Sequence, residues 1–236
     1  GGSRSRSGSP GSKTSASGDI SGADIAIVGG VLGAGAAGAA GLFGGSTPDG
    51  NQVSRAQRLS RITGLNPEII YAIEMKESAG NPRAFAFNGH VFMRNLSDSQ
   101  EISDAQSAGF TSSVQNFYGS DATDRYEEAH AINPEAAIKG GAWGLYQVLG
   151  ETSFDDYGTA TAFENGFSGD PVGHAESAFS RWWSNAGSGL VNTANSGDTA
   201  AWVTSYFGRA DSEYISDVEG YMNDYRQEVG EEDSSS

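Results

Sequence analysis

Cysteine is absent from the 236-residue chain, so no disulfide can staple the fold and no thiolate can hold a metal. Redox chemistry therefore leaves the compartment open. Positive charge is scarce: 14 Lys plus Arg stand against 30 Asp plus Glu, a formal net charge of −16. Such a balance repels phosphate backbones and argues against a specific nucleic-acid partner. Histidine occurs only at His90, His130 and His174, too widely spaced for the helical H-E-x-x-H zinc pattern, so no metal site is expected. Neither a G-x-S-x-G nucleophile elbow nor a P-loop is present. Nothing in the sequence calls for a cofactor.

What is present divides along the chain. The length suits one sizeable domain with extensions. Residues Gly1 to Gly18 are almost wholly Gly, Ser, Arg, Lys, Pro and Thr, too poor in apolar surface to offset ordering entropy, and residues 1–24 read as a flexible leader. The leader holds Arg4, Arg6 and Lys13, so it is either a solvated linker or a contact for an acidic partner. Residues 25–45 carry no charged or strongly polar side chain, close to the roughly 20 residues that span a bilayer as a helix. Their small residues Gly29, Gly33, Ala37, Gly41 and Gly45 recur every fourth position, a glycine zipper by spacing. Membrane contact, packing against other subunits or a second copy, and a plain Gly/Ala linker all fit this segment. The chain opens on Gly1 rather than Met, as a processed product or a fragment does.

Residues 46–53 supply a linker with turn chemistry at Ser46 to Gly50, and residues 54–229 read as the globular domain. Apolar residues recur at helical spacing from Val53 to Ala79 with a break at Gly64-Leu65-Asn66-Pro67, predicting two helices. Asn66 as cap, Pro67 at the first position and Glu68 in the first turn mark the second start. That helix delivers Glu77 near its end. Phe85 to Phe92 alternates aromatics in an extended pattern, whereas Asp121–Ile132, Gly173–Asn185, Thr199–Phe207 and Ser212–Gln227 read as helices. Asn133-Pro134-Glu135 repeats the start signature. The acidic, serine-rich residues 230–236 are expected to fray. The fold class is mainly α with a small extended or hairpin element.

Two stretches carry the candidate chemistry. An acid at the end of a buried helix can be held protonated near neutral pH, which protonation of a glycosidic oxygen requires. Glu77 is that candidate. Glu74 lies three residues earlier on the same helix, and repulsion between the two carboxylates could raise one of them, although such a pair is commonly solvated surface. The second stretch is Gly140-Gly141-Ala142-Trp143-Gly144-Leu145-Tyr146-Gln147. Small neighbours would let the flat Trp143 ring approach a sugar, with polar reach from Tyr146 and Gln147; a structural core indole is the other reading. His90 either contacts substrate or is a satisfied structural histidine.

These residues fall into a pattern. The runs Ala72 to Pro82 around Glu77-Ser78, Phe87-Asn88-Gly89-His90-Val91-Phe92, Asn133 to Gly150, and Trp202 to Gly208 followed by Tyr214 resemble the N-acetylmuramidase domain of phage endolysins. That domain is similar to goose-type lysozyme and soluble lytic transglycosylases. The resemblance covers about Ser54 to Gln227, and Trp143-Gly144-Leu145-Tyr146-Gln147 is its most specific block. It implies a lysozyme-like helical domain that cleaves the N-acetylmuramic acid to N-acetylglucosamine bond of peptidoglycan glycan strands, with Glu77 as acid. It implies substrate contacts from Ser78, Asn88, His90, Trp143, Gly144, Tyr146, Gln147 and Tyr206. Two departures stand out: Asn88 replaces the acid of the family's Phe-Glu-Arg-His-Val-Phe, and Phe207 replaces the Asn of Tyr-Asn-Gly. With the leader and zipper, the resemblance leads to the expectation of a virion enzyme of the tail or ejection apparatus, acting in the host envelope or periplasm during genome entry. A catalytically degenerate structural protein of the particle, or a membrane-anchored bacterial wall-remodelling enzyme, are the rival readings.

Overall fold

The structure, a computed structural model, describes residues 50–207 and 211–234. The leader at 1–24, the zipper at 25–45 and Gly208 of the late motif lie outside these residues. Eleven α-helices and a small antiparallel sheet make up the described chain. Helix α1 (Gly50–Thr63) and helix α2 (Pro67–Ser78) meet at the expected break. Asn66 occupies the N-cap of α2, yet its side chain makes no cap hydrogen bond. The turn is tied from afar instead: the Asn66 N–H donates to Asn195 Oδ1 at 2.8 Å, and Asn195 Nδ2 donates to the Gly64 carbonyl at 2.8 Å.

Helix α2 is buried continuously from Ile69 to Glu77. A helix apolar on nearly every side belongs inside, and neighbours cover it on several faces. The first core gathers Leu59 of α1, Ile70 and Ile73 of α2, Phe179 and Trp183 of α9 (Pro171–Asn195), Trp202 of α10 (Thr199–Phe207) and Val218 of α11 (Ser212–Ser234). Helix α11 runs along α2, with the Tyr71 and Tyr225 rings 5.7 Å apart between centroids. It continues helical through Gly230 to Ser234, where composition suggests an end. Helix α9 extends beyond Asn185 to Asn195, across a kink at Gly187 (φ 82°).

The sheet has the order β2-β1-β3-β4, from β1 (Phe85–Asn88), β2 (Asn116–Tyr118), β3 (Gly141–Trp143) and β4 (Val148–Leu149). The extended pattern predicted through Phe92 stops at Asn88, because Gly89–Arg94 forms the short helix α3. Its residues His90, Val91 and Phe92 all turn inward on one helical turn. A second core of Phe87, Phe92, Phe110, Ala122, Ala129 and Ala137 packs under one face of the sheet. It draws on α4 (Ser99–Ser107), α5 (Gly119–Ile132) and α6 (Pro134–Gly140). Here the cap forecast at Asn133 is made, its side chain accepting from the Ala136 N–H at 2.9 Å. Two short helices, α7 (Phe154–Tyr157) and α8 (Ala160–Gly169), lead to α9. No helix of the described residues is long and apolar enough to cross a membrane.

Candidate active site

Glu77 lies on the last turn of α2, which ends abruptly. Ala79 takes the left-handed conformation (φ 52°), its N–H donating to the Met75 carbonyl, and Gly80 follows at φ 77°. The positive φ at Gly80 is strained for any side chain, so glycine suits the point where the chain reverses. The carboxyl is 3% exposed. Tyr214 Oη, from α11, donates to Glu77 Oε1 at 2.7 Å, while Oε2 has no hydrogen-bond partner among the described residues. Burial pushes Glu77 up to about 7; the Tyr214 hydrogen bond and the Lys76 ammonium pull it part of the way back. The C-terminal end of the α2 dipole also disfavours a carboxylate at this place. An acid that keeps its proton to near-neutral pH, with one oxygen fixed and the other free, is suited to donate that proton.

Tyrosines surround it. Tyr206 and Tyr214 are both deeply buried, and burial together with the nearby Glu77 charge raises both phenols. Tyr118 of β2 is half-buried and is pushed up to about 12 by burial and by Glu77. Lys76 beside Glu77 is itself buried; its Nζ pairs with Asp217 Oδ2 at 2.6 Å and lies 5.4 Å from the centre of the Tyr214 ring. The lysine thus pins α11, which carries the Tyr214 hydroxyl, to the end of α2.

Glu74 does not act on Glu77 as anticipated. Its carboxylate is fully buried and held by the Arg55 guanidinium, Nε donating to Oε2 at 2.9 Å, and by Tyr146 Oη at 3.0 Å. A charge so paired is neutralised locally, and the elevation of Glu77 comes first from desolvation.

The aromatic block is also placed differently from the expected sugar wall. Trp143 is 7% exposed; its Nε1 donates to the Ile138 carbonyl at 3.0 Å and its ring packs against Phe85, Tyr126, Phe163 and Phe167. Gly144 (φ 71°) makes the β3–β4 turn, its N–H donating to the Ala84 carbonyl at 2.8 Å. Tyr146 faces Glu74, and Gln147 (φ 48°) is buried with Nε2 donating to the Gly144 carbonyl at 2.9 Å. The four residues form an inward-facing turn that braces the sheet against α2, because the side-chain donors of Trp143, Tyr146 and Gln147 each find an acceptor inside the protein.

Ser78 closes α2, its hydroxyl donating to the Glu74 carbonyl at 3.0 Å. Asn88 is 2% exposed, with Nδ2 donating to the Gly140 carbonyl at 3.3 Å and Oδ1 unpartnered. His90 is buried, which lowers its affinity for a proton; Nδ1 accepts from the Gln115 N–H at 3.5 Å and Nε2 has no partner. Among the described residues no group of three or more His, Asp or Glu gathers to hold a metal ion. Tyr118, whose phenol the Glu77 charge raises, was not singled out from the sequence, since a three-residue strand carries too short a pattern to show which side chains share a face. Tyr214 stood inside the quoted motifs, but its contact with Glu77 spans 137 residues and no spacing rule announces it.

The family model described as N-acetylmuramidase matches residues 66–212. The crystal structure of the Burkholderia AP3 phage endolysin is similar in fold, with a TM-score of 0.57 at 20% identity over 75% of this chain and 70% of that chain. No curated protein matches the chain.

Proposed function

Since the chain belongs to the N-acetylmuramidase family, which cleaves the glycan of peptidoglycan, we propose that it does so with Glu77 as the proton donor. The observation that carries this reading is the buried Glu77 carboxyl, raised to about 7 and hydrogen-bonded through one oxygen only. Oε1 is committed to Tyr214, so Oε2 bears the proton and delivers it to the glycosidic oxygen as the bond to the sugar breaks. The ionised Glu77 that results then faces the cationic sugar and takes a proton from the group that captures it.

Asn88 shapes the second half of the reaction. A carboxamide can hold a water or a sugar hydroxyl but cannot serve as a base, so Glu77 acts as acid and then as base. Capture by water leaves a reducing end, and capture by the sugar's own hydroxyl leaves an anhydro end; mass spectrometry of released muropeptides reads which one forms. Purified peptidoglycan should clear with the wild-type chain and remain turbid with Glu77→Gln. Clearing by Glu77→Gln at the wild-type rate would remove Glu77 from the chemistry.

Asn88 also favours a second reading, a lysozyme-like domain that binds wall glycan without cutting it. That reading predicts sedimentation of the protein with peptidoglycan and no clearing. The finer biological setting rests on the sequence: the leader and the 25–45 segment suit an enzyme carried in the virion, packed through that segment against other subunits or a second copy. Detection of the chain in washed, purified particles tests it.

A further inference from the structure

A buried cation stands beside the acid. The Lys76 side chain is 6% exposed and its Nζ pairs with Asp217 Oδ2 at 2.6 Å, while the Asp217 side chain is 41% exposed. Tyr214 and Asp217 are three residues apart on α11, so they share a helix face, and that face meets the consecutive residues Lys76 and Glu77 of α2. Glu77 Oε1 accepts from the Tyr214 hydroxyl at 2.7 Å, and Lys76 Nζ lies over the ring of the same tyrosine, 5.4 Å from its centre. The phenol is thus held between a cation on its face and a carboxyl at its hydroxyl. Buried ion pairs add little stability, because desolvating the charges costs about as much as their attraction regains, and apolar side chains of similar volume pack as well. A lysine kept at this place points to a part in the electrostatics of the site.

A cation on the face of a phenol draws electron density from the ring, which makes the O–H a better donor. The Lys76 charge also acts on Glu77 directly, against the desolvation that keeps the carboxyl protonated. The other ionisable groups around the acid are phenols or are already paired. Tyr206 of α10 and Tyr118 of β2 are neutral, Tyr221 of α11 lies near Lys76 and Asp217, and Glu74 is held by Arg55 of α1 and by Tyr146. We propose that Lys76 is a positioning residue for the cleavage: anchored by Asp217, its ammonium holds the Tyr214 hydroxyl on Glu77 Oε1 and strengthens it as a donor. The benefit falls on the step in which Glu77 gives its Oε2 proton to the glycosidic oxygen, since the carboxylate left behind is the form that hydroxyl and cation both stabilise. Burial keeps the proton on Glu77 until substrate arrives, and Lys76 with Tyr214 eases its departure. Lys76 acts through Tyr214 and touches no sugar, because its own side chain is buried. This inference rests on the reading of Glu77 as the proton donor and adds to it what sets the strength of that acid.

The test is the pH–rate profile of the full chain on solubilised glycan strands of peptidoglycan. Lys76→Met keeps most of the stem and removes the charge; the alkaline limb of kcat/KM should move up by about one pH unit, and kcat below the limb should fall about tenfold with KM unchanged. Lys76→Arg, which keeps the cation, should hold the limb at its wild-type place. In a Tyr214→Phe background, Lys76→Met should lower kcat by less than about threefold, since the hydroxyl through which it acts is gone. Lys76→Met combined with Asp217→Leu leaves neither charge without its partner, keeps the fold, and should show the same raised limb. A limb that does not rise in that double variant, a limb raised equally by Lys76→Arg, or a full tenfold fall in kcat without the Tyr214 hydroxyl each overturns the role of Lys76 and leaves Glu77 as the acid. A wild-type chain that does not cut the strands, or Glu77→Gln that cuts them at the wild-type rate, overturns the parent reading and this inference with it.

Discussion

One turn of helix α2 separates two buried carboxylates that the protein treats in opposite ways. Glu74 is enclosed with a full set of donors: the Arg55 fork and the Tyr146 hydroxyl meet both of its oxygens. Glu77 is equally enclosed but receives one hydrogen bond, from Tyr214, and is raised to about 7. Burial alone therefore does not decide how a carboxyl is held. What separates the two is the number of donors supplied to the buried oxygens, three at Glu74 and one at Glu77. Glu74 locks α1, α2 and the β3–β4 turn together; Glu77 is left short of partners at the helix end, where a substrate can complete it.

The largest expected effects are two losses of different kinds. Glu77→Gln should lower the rate of peptidoglycan cleavage by roughly 10²–10⁴-fold, the usual contribution of a general acid, with the melting temperature unchanged or higher. Glu74→Leu should instead cost about 3–5 kcal/mol of stability, because it leaves Arg55 charged and without its counter-ion. Chemical denaturation and a turbidity assay on both variants separate the effects. A stable but inactive Glu74→Leu would assign Glu74 to the chemistry and erase the distinction.

A compensated replacement sharpens it. Arg55→Met, Glu74→Leu and Tyr146→Phe together remove the charge pair and its extra donor, so nothing polar is orphaned. The triple variant should lie within about 2 kcal/mol of wild type by denaturation and keep its activity. Persistent inactivity in a folded triple variant would mean that the Glu74 network positions Glu77 beyond holding α2 in place.

Tyr214→Phe acts on Glu77 more gently. The lost hydrogen bond favoured the ionised form, so Glu77 rises further and the alkaline limb of the pH–rate profile moves to higher pH. Below that limb kcat/KM should fall by about tenfold, through lost orientation of the acid. An alkaline limb that does not move would detach Tyr214 from Glu77.

The same contrast explains how far the sequence could be read. The interrupted apolar run from Val53 to Ala79 and the Asn133-Pro134-Glu135 start are local patterns, and helices form where they predict. Glu77 could be singled out as a candidate because a resemblance and a helix end coincide on it. The orientation of Trp143, Tyr146 and Gln147 was not legible, because a Gly-rich aromatic block looks alike whether it faces a ligand or a core. Only the Ile138 carbonyl, Glu74 and the Gly144 carbonyl, none of them announced by spacing, turn these side chains inward. Asn66 failed as a cap for a related reason: Asn195, 129 residues away, supplies the oxygen that ties that turn. Long-range partners decide such cases, and a pattern read within one segment does not contain them.

The smallest effect expected is on stability against pH, where two buried groups oppose each other. Glu77 is raised from 4.5 to about 7, so the folded chain binds a proton more tightly than the unfolded one between these values, and stability falls as pH rises through that window. His174, caged by Tyr157, Phe163 and Phe167 with neither ring nitrogen partnered, is lowered from 6.5 to about 4. The folded chain there resists a proton, and stability falls as pH drops from 6.5 toward 4. Between pH 7.5 and 5 the two contributions offset, leaving a net change from this pair of about 1 kcal/mol or less. Removing either partner exposes the other. Relative to wild type, Glu77→Gln should lose stability on acidification over this range, and His174→Phe should gain it, as read from denaturation midpoints at each pH. Parallel curves for both variants and wild type would show that neither group changes its proton affinity on folding.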